Sequence, residues 1–170
     1  MTSVPECTDG PKGTDQVVVN RPAVVADVRA AFERYETALV AGDVATLNEL
    51  FWDSPSSLRF GIADRQRGAA EIHHWRRRHG GVPAGRRLRD TDVLTVDGCT
   101  AVVTTLFDYP DRPIEGRQTQ VWVRFPEGWR IVAAHVSEVD VAEARHPNAT
   151  DRSDRIGGPW NTRPRREEPL

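Results

Sequence analysis

Residues 87–109 read RLRDTDVLTVDGCTAVVTTLFDY, with apolar and polar residues alternating on either side of Asp97-Gly98. A period of two is the signature of a half-buried strand, and an Asp-Gly pair supplies the positive φ angles of a two-residue reversal, so this stretch is a β-hairpin. Residues 116–139, GRQTQVWVRFPEGWRIVAAHVSEV, repeat the pattern around Pro126-Glu127-Gly128, where Gly128 permits the second reversal. Four long antiparallel strands follow from these two hairpins.

Toward the N-terminus the period changes. GAAEIHHWRRRHGG, residues 68–81, reads as a helix closed by Gly80 and Gly81. SLRFGI, residues 57–62, is a brief extended segment. Pro22 stands where a first helical turn tolerates proline, and Val25, Val28, Phe32, Tyr35 and Leu39 recur at steps of three and four as far as Gly42. Asp43 is a ready N-cap for a second short helix, VATLNELFW at 44–52, which the turn signal DSPSS then stops. Helices cluster at the start and a meander ends the chain, which is α+β ordering and not the alternation of a parallel α/β sheet. Three N-terminal helices packed on a curved antiparallel sheet leave a cone, whose wide end admits a small ligand.

The remaining chain divides around this domain. Residues 1–21 are rich in Gly, Pro, Thr and Asp and read as a flexible tail; residues 22–140 form the domain. Residues 141–170, rich in Pro and Arg, read as a second tail, with Trp160 a candidate clip onto the domain or a partner. A formal charge of −2 in 170 residues recruits neither nucleic acid nor an anionic membrane. The basic runs RRRHGG and GRRLR lack interleaved aromatics apart from Trp75, so they read as solvated faces. No signal segment or membrane-spanning run is visible, which places the protein in the cytoplasm. Cys7 and Cys99 read as free thiols.

No phosphate loop, serine elbow, metal-ligand set or interpretable carboxylate pair stands out, so neither a metal nor a cofactor is expected. His73 and His74 are adjacent and do not share a helix face. Tyr35 lies on the apolar stripe of the first helix, where its hydroxyl wants a partner; it is either a core residue bonded to a carbonyl or a proton donor. Arg59 shares a strand face with Ser57 and Gly61, opposite Leu58, Phe60 and Ile62, and the pattern leaves open which face looks inward. Buried, its guanidinium needs an anion, which a substrate carboxylate would supply through a two-pronged contact. Gln118 and Gln120 share a face with Trp122, which suits a polar pocket wall or a dimer interface. His135 shares a face with Ile131, Ala133 and Ser137, as a structural or a functional histidine.

The segments AFERYETALVAGDVATLNELFW (31–52), LRFG (58–61) and GRQTQVWVRFPEGWRIVAAHVS (116–137) resemble the AtzH-like and HpxZ-type family of NTF2-like, SnoaL-like proteins over about residues 24–138. The resemblance implies a homodimer of cones serving the breakdown of carboxylated, ureide-like nitrogen compounds beside an amidase. It further implies a cofactor-free decarboxylation of 1,3-dicarboxyurea, with Tyr35 and Arg59 as the active pair. On that reading Tyr35 is the acid and Arg59 the clamp, with Gln118, Gln120 and His135 as substrate-binding wall. A neighbouring cation should then pull the phenol's pKa down from about 10. Two other readings stand beside it: a non-catalytic dimeric partner of an amidase, and an isomerase or dehydratase, for which the sequence offers no evident carboxylate base.

Overall fold

The computed structural model of the chain describes residues 17–79 and 81–144. Residues 1–16 and 145–170, with Cys7 and Trp160 among them, and Gly80 lie outside the described residues. Helix α1 spans Pro22–Ala41 and helix α2 Val44–Glu49. Strands β1 (Leu58–Phe60) and β2 (Arg65–Arg67) precede helix α3 (Ala69–Arg78). Strands β3 (Arg87–Val96), β4 (Thr100–Tyr109), β5 (Arg112–Phe125) and β6 (Gly128–Asp140) follow, and a short α4 (Val141–Ala144) closes the described chain.

Helix α1 begins with proline in its first turn and buries Val24, Val28, Phe32, Tyr35, Glu36 and Ala38. The stripe is as the spacing predicts, except that it includes a glutamate and runs through Val24 and Ala38, while Val25 and Leu39 are only half-buried. Asp43 caps α2 by accepting from the Thr46 amide at 3.1 Å, satisfying one of the helix's orphan donors. The helix stops at Glu49, earlier than the sequence suggests, because Phe51 leaves it to bridge Ile131 of β6.

The six strands form one sheet in the order β2-β1-β6-β5-β4-β3. All neighbours are antiparallel except β1 and β6, which run parallel with Phe60 beside His135. The Asp97-Gly98 reversal has φ of 50° and 74°, the left-handed geometry expected of it. Strand β5 is longer than the sequence suggests, starting at Arg112 with Pro113 inside it. The sheet also gains an unforeseen partner on its β3 edge: Val19 bridges Val96, and the Asn20 amide donates to the Thr95 carbonyl at 3.1 Å. Val19 and Asn20, ahead of Pro22, thus extend the sheet. Cys99 is disulfide-bonded, which corrects its reading as a free thiol.

The core lies between the helices and the concave face of the sheet, where Phe32, Leu47, Phe51, Trp122 and Ile131 meet. Each such side chain contributes roughly 1.5–3 kcal/mol of burial. This packing closes one end of the cone and leaves the other open.

Candidate functional site

At the open end lies a cavity of about 320 Å3, at the small end of ligand pockets. Tyr35 reaches it from α1, Arg59 from β1, Asp64 from the turn before β2, and Trp75 from α3. Arg86, Phe107, Gln118 and Glu138 line it from the sheet side. An inner recess of about 60 Å3 continues past Tyr35, Arg59 and Trp75 to Arg76.

Arg59 points inward because the apolar members of its strand look out: Leu58 and Phe60 are exposed on the other face. Its guanidinium lies 4.1 Å above the Trp75 ring and donates from Nη1 to Asp64 Oδ1 at 2.5 Å and to Gln66 Oε1 at 2.6 Å. The Gln66 amide completes the triangle by donating to Asp64 at 2.9 Å. The arginine is thus held flat on an indole and fixed in direction before any ligand arrives.

On the facing wall, Arg86 donates from Nε to Glu36 Oε2 and from Nη2 to Gln118 Oε1, both at 3.1 Å, with its guanidinium 3.6 Å over the Phe107 ring. Gln118 returns a bond from its amide to Glu36 Oε1 at 2.6 Å. Glu36 is presented by α1 one residue after Tyr35, so the same helix supplies the phenol and the carboxylate that anchors this network. At the rim, Arg112 pairs with Glu138 at 2.7 Å.

Tyr35 is buried, with the Trp122 ring edge-on and the Phe51 ring tilted against it, each 6.4 Å away. Its hydroxyl lies within hydrogen-bonding reach of the Arg76 guanidinium. Burial raises its pKa above the ordinary phenol value; Arg76, Arg59 and Arg86 pull the other way and Glu36 adds to the rise. The expected depression by a neighbouring cation is therefore overturned, because desolvation of the phenolate outweighs the guanidiniums. The phenol is neutral throughout the physiological range.

Arg76 is 4% exposed and sits behind this residue. Its guanidinium stacks 4.3 Å over the Phe51 ring and donates from Nη1 to the Leu47 carbonyl at 2.6 Å and to Asn48 Oδ1 at 3.1 Å. Burial draws its pKa down to about 10, partly opposed by Tyr35.

The sequence candidates separate accordingly. Tyr35, Arg59 and Gln118 come together at the cavity. Gln120 is fully buried behind it, its Oε1 accepting from Trp122 Nε1 at 3.1 Å, and it does not line the cavity. His135 is exposed on the opposite face, edge-on to Phe60 at 6.0 Å. A bulge causes this: Val121 pairs with Ala133 but Trp122 with Ile131, so Val132 is extra and the alternation of β6 changes phase. Ala134, Val136 and Glu138 then face the cavity in place of Ala133 and His135.

Sequence reasoning missed Arg76, Arg86, Glu36 and Asp64. Both arginines come from the runs read as solvated faces. Arg76 had a signal, standing four residues after buried Ile72 on the inner face of α3, whereas its neighbours Arg77 and Arg78 are exposed. Arg86, ahead of β3, had none. The cavity also holds the carboxylates that the sequence left out of account, Asp64 and Glu138, but each already carries an arginine.

Among the described residues no group of three or more His, Cys, Asp or Glu is arranged to hold a metal. None of their helices is long and apolar enough to cross a membrane.

A family model described as AtzH-like matches residues 17–142. Among solved structures, a cystatin-like fold protein from Burkholderia xenovorans is 46% identical, with a TM-score of 0.71 over 74% of this chain and 98% of its own. A protein of unknown function from the DUF3225 family of Pectobacterium atrosepticum is also 46% identical, with a TM-score of 0.67 over 72% and 95% of the two chains. An NTF2-like protein of unknown function from Pseudomonas putida, 17% identical, shares the fold with a TM-score of 0.59 over 69% and 87%. No curated protein matches the chain.

Proposed function

This chain belongs to the AtzH-like family, and on that premise we propose that its cavity is the active site of a cofactor-free decarboxylase acting on an N-carboxylated urea such as 1,3-dicarboxyurea. The observation that carries the reading is that a neutral, buried phenol and an inward-facing, pre-oriented guanidinium line one small cavity.

An N-carboxylate loses CO2 once its nitrogen gains a proton. Tyr35 donates that proton, the C–N bond breaks with its electron pair left on nitrogen, and CO2 departs. The residual phenolate is stabilised by the surrounding guanidiniums until water reprotonates it. Water exclusion keeps the phenol protonated beforehand, and the arginines make its brief ionisation tolerable. Arg59 orients the carboxylated guest, its Nη2 being uncommitted to Asp64 and Gln66. Gln118, held by Glu36 and Arg86, offers a fixed amide edge to a urea group. The reaction needs proton transfer and charge stabilisation, both within reach of side chains. The family resemblance adds a homodimer of such cones, to be checked by sedimentation of the purified protein.

Release of CO2 from freshly generated 1,3-dicarboxyurea, corrected for the spontaneous rate, tests the proposal. Tyr35→Phe and Arg59→Ala should each lower the catalysed rate by about 100-fold or more while the protein stays folded. Equal rates in all three proteins would remove the decarboxylase reading and leave a ligand-binding partner of an amidase, which a pull-down against that enzyme would detect.

A further inference from the structure

The arginines of the cavity and its recess are unequally matched. Arg59 is paired with Asp64, Arg86 with Glu36 and Arg112 with Glu138. Among the described residues no carboxylate pairs with Arg76: its acceptors on Nη1 are neutral, its other polar neighbour is the neutral Tyr35 phenol, and its Nη2 is buried without a well-formed hydrogen bond. A buried guanidinium is stable only when its charge and its N–H groups are met, and the Phe51 ring beneath it meets the charge in part but none of the donors. Local violations of this kind are expected at functional or strained sites, and this one adjoins the cavity.

A recess lies against Arg76. Its volume of about 60 Å3 exceeds the roughly 10–15 Å3 that a single water needs, so it has room for a planar carboxylate. Tyr35, Leu39, Arg59 and Trp75 line it in common with the main cavity, and Val44, Leu47, Arg76 and the exposed His79 line it alone.

We infer that this recess is an anion subsite, in which one carboxylate of the guest accepts a hydrogen bond from Arg76 Nη2 beside the Tyr35 ring. The inference rests on the reading of the cavity as a substrate site and names the feature that site demands: a ligand with a carboxylate at its inner end. Arg76 is then a specificity-determining residue, and a neutral urea of the same length leaves its charge unmet. Burial lowers the arginine's pKa but leaves it charged at neutral pH, as the subsite requires.

Binding without turnover separates this inference from the reaction. N-carbamoylglycine carries a urea and a carboxylate joined through carbon, so it cannot lose CO2 by nitrogen protonation; its primary amide is the neutral control. Titrated calorimetrically into the full-length protein, the acid should bind about tenfold or more tightly than the amide, the advantage of a charge-assisted hydrogen bond. Arg76→Met should bring that ratio near one, with a lowered melting temperature because the Leu47 carbonyl loses its donor. Arg76→Lys should recover part of the preference. Should the methionine variant fail to fold, Arg76→Gln carries the same test. A ratio near one in the wild-type protein, or a full ratio kept without the arginine, overturns the subsite. A normal ratio in a protein that releases no CO2 preserves the subsite and removes only the decarboxylase.

Discussion

The Gln118 side-chain amide donates to Glu36 Oε1 at 2.6 Å, joining β5 to α1 across 82 positions of sequence. The other oxygen of that carboxylate takes the Arg86 guanidinium. One buried glutamate therefore holds the cavity wall together, on the helix that also presents the phenol.

Removing that carboxylate should be costly. In Glu36→Ala, Arg86, whose side chain is only 3% exposed, loses its counter-charge. The expected loss is about 3 kcal/mol of stability, because breaking a buried pair strands the remaining ion. Urea denaturation should show a lower midpoint with an unchanged slope.

Alkaline stability should report the environment of Tyr35. Its folded pKa is raised above the unfolded value of about 10, so the folded state binds the proton more tightly. The associated stability is complete below that unfolded value and is lost as pH climbs through the folded pKa. Melting temperatures measured upward from pH 9 should fall more steeply for the wild type than for Tyr35→Phe. Parallel profiles would contradict the burial of the hydroxyl.

Gly116 faces Phe107 across the β4–β5 ladder, and a Cβ placed there would meet the ring at 2.1 Å. Gly116→Ala must push Phe107 out from beneath Arg86, at a cost of about 1–3 kcal/mol. Thermal melts should show the destabilisation, and calorimetry a weaker affinity for N-carbamoylglycine.

His135→Ala is the contrasting substitution. The ring lies outside the cavity against exposed Phe60, so CO2 release should stay within about twofold of wild type, as for other surface changes. A large loss would bring His135 back into the chemistry and place the phase of β6 in error.

Periodicity and turn chemistry, both local, carried the architecture from the residues alone. The alternation around Asp97-Gly98, the proline-led stripe of α1 and the Asp43 cap each follow from conformational preferences that act over a few residues. The same patterns put Tyr35 on an inward face and left the Gln118 face open between a pocket wall and a dimer interface. Folding settled what no local rule contains. One extra residue at Val132 reversed the inward set of β6 and turned His135 to solvent. Arg76, Arg86 and Glu36 became interior charges because partners 28, 32 and 82 positions distant, Asn48, Gln118 and again Gln118, converged on them. Burial of a charge depends on what packs over it, and desolvation there outweighed nearby cations in setting the state of the Tyr35 phenol, so the electrostatics of the site exist only once the chain has closed around it.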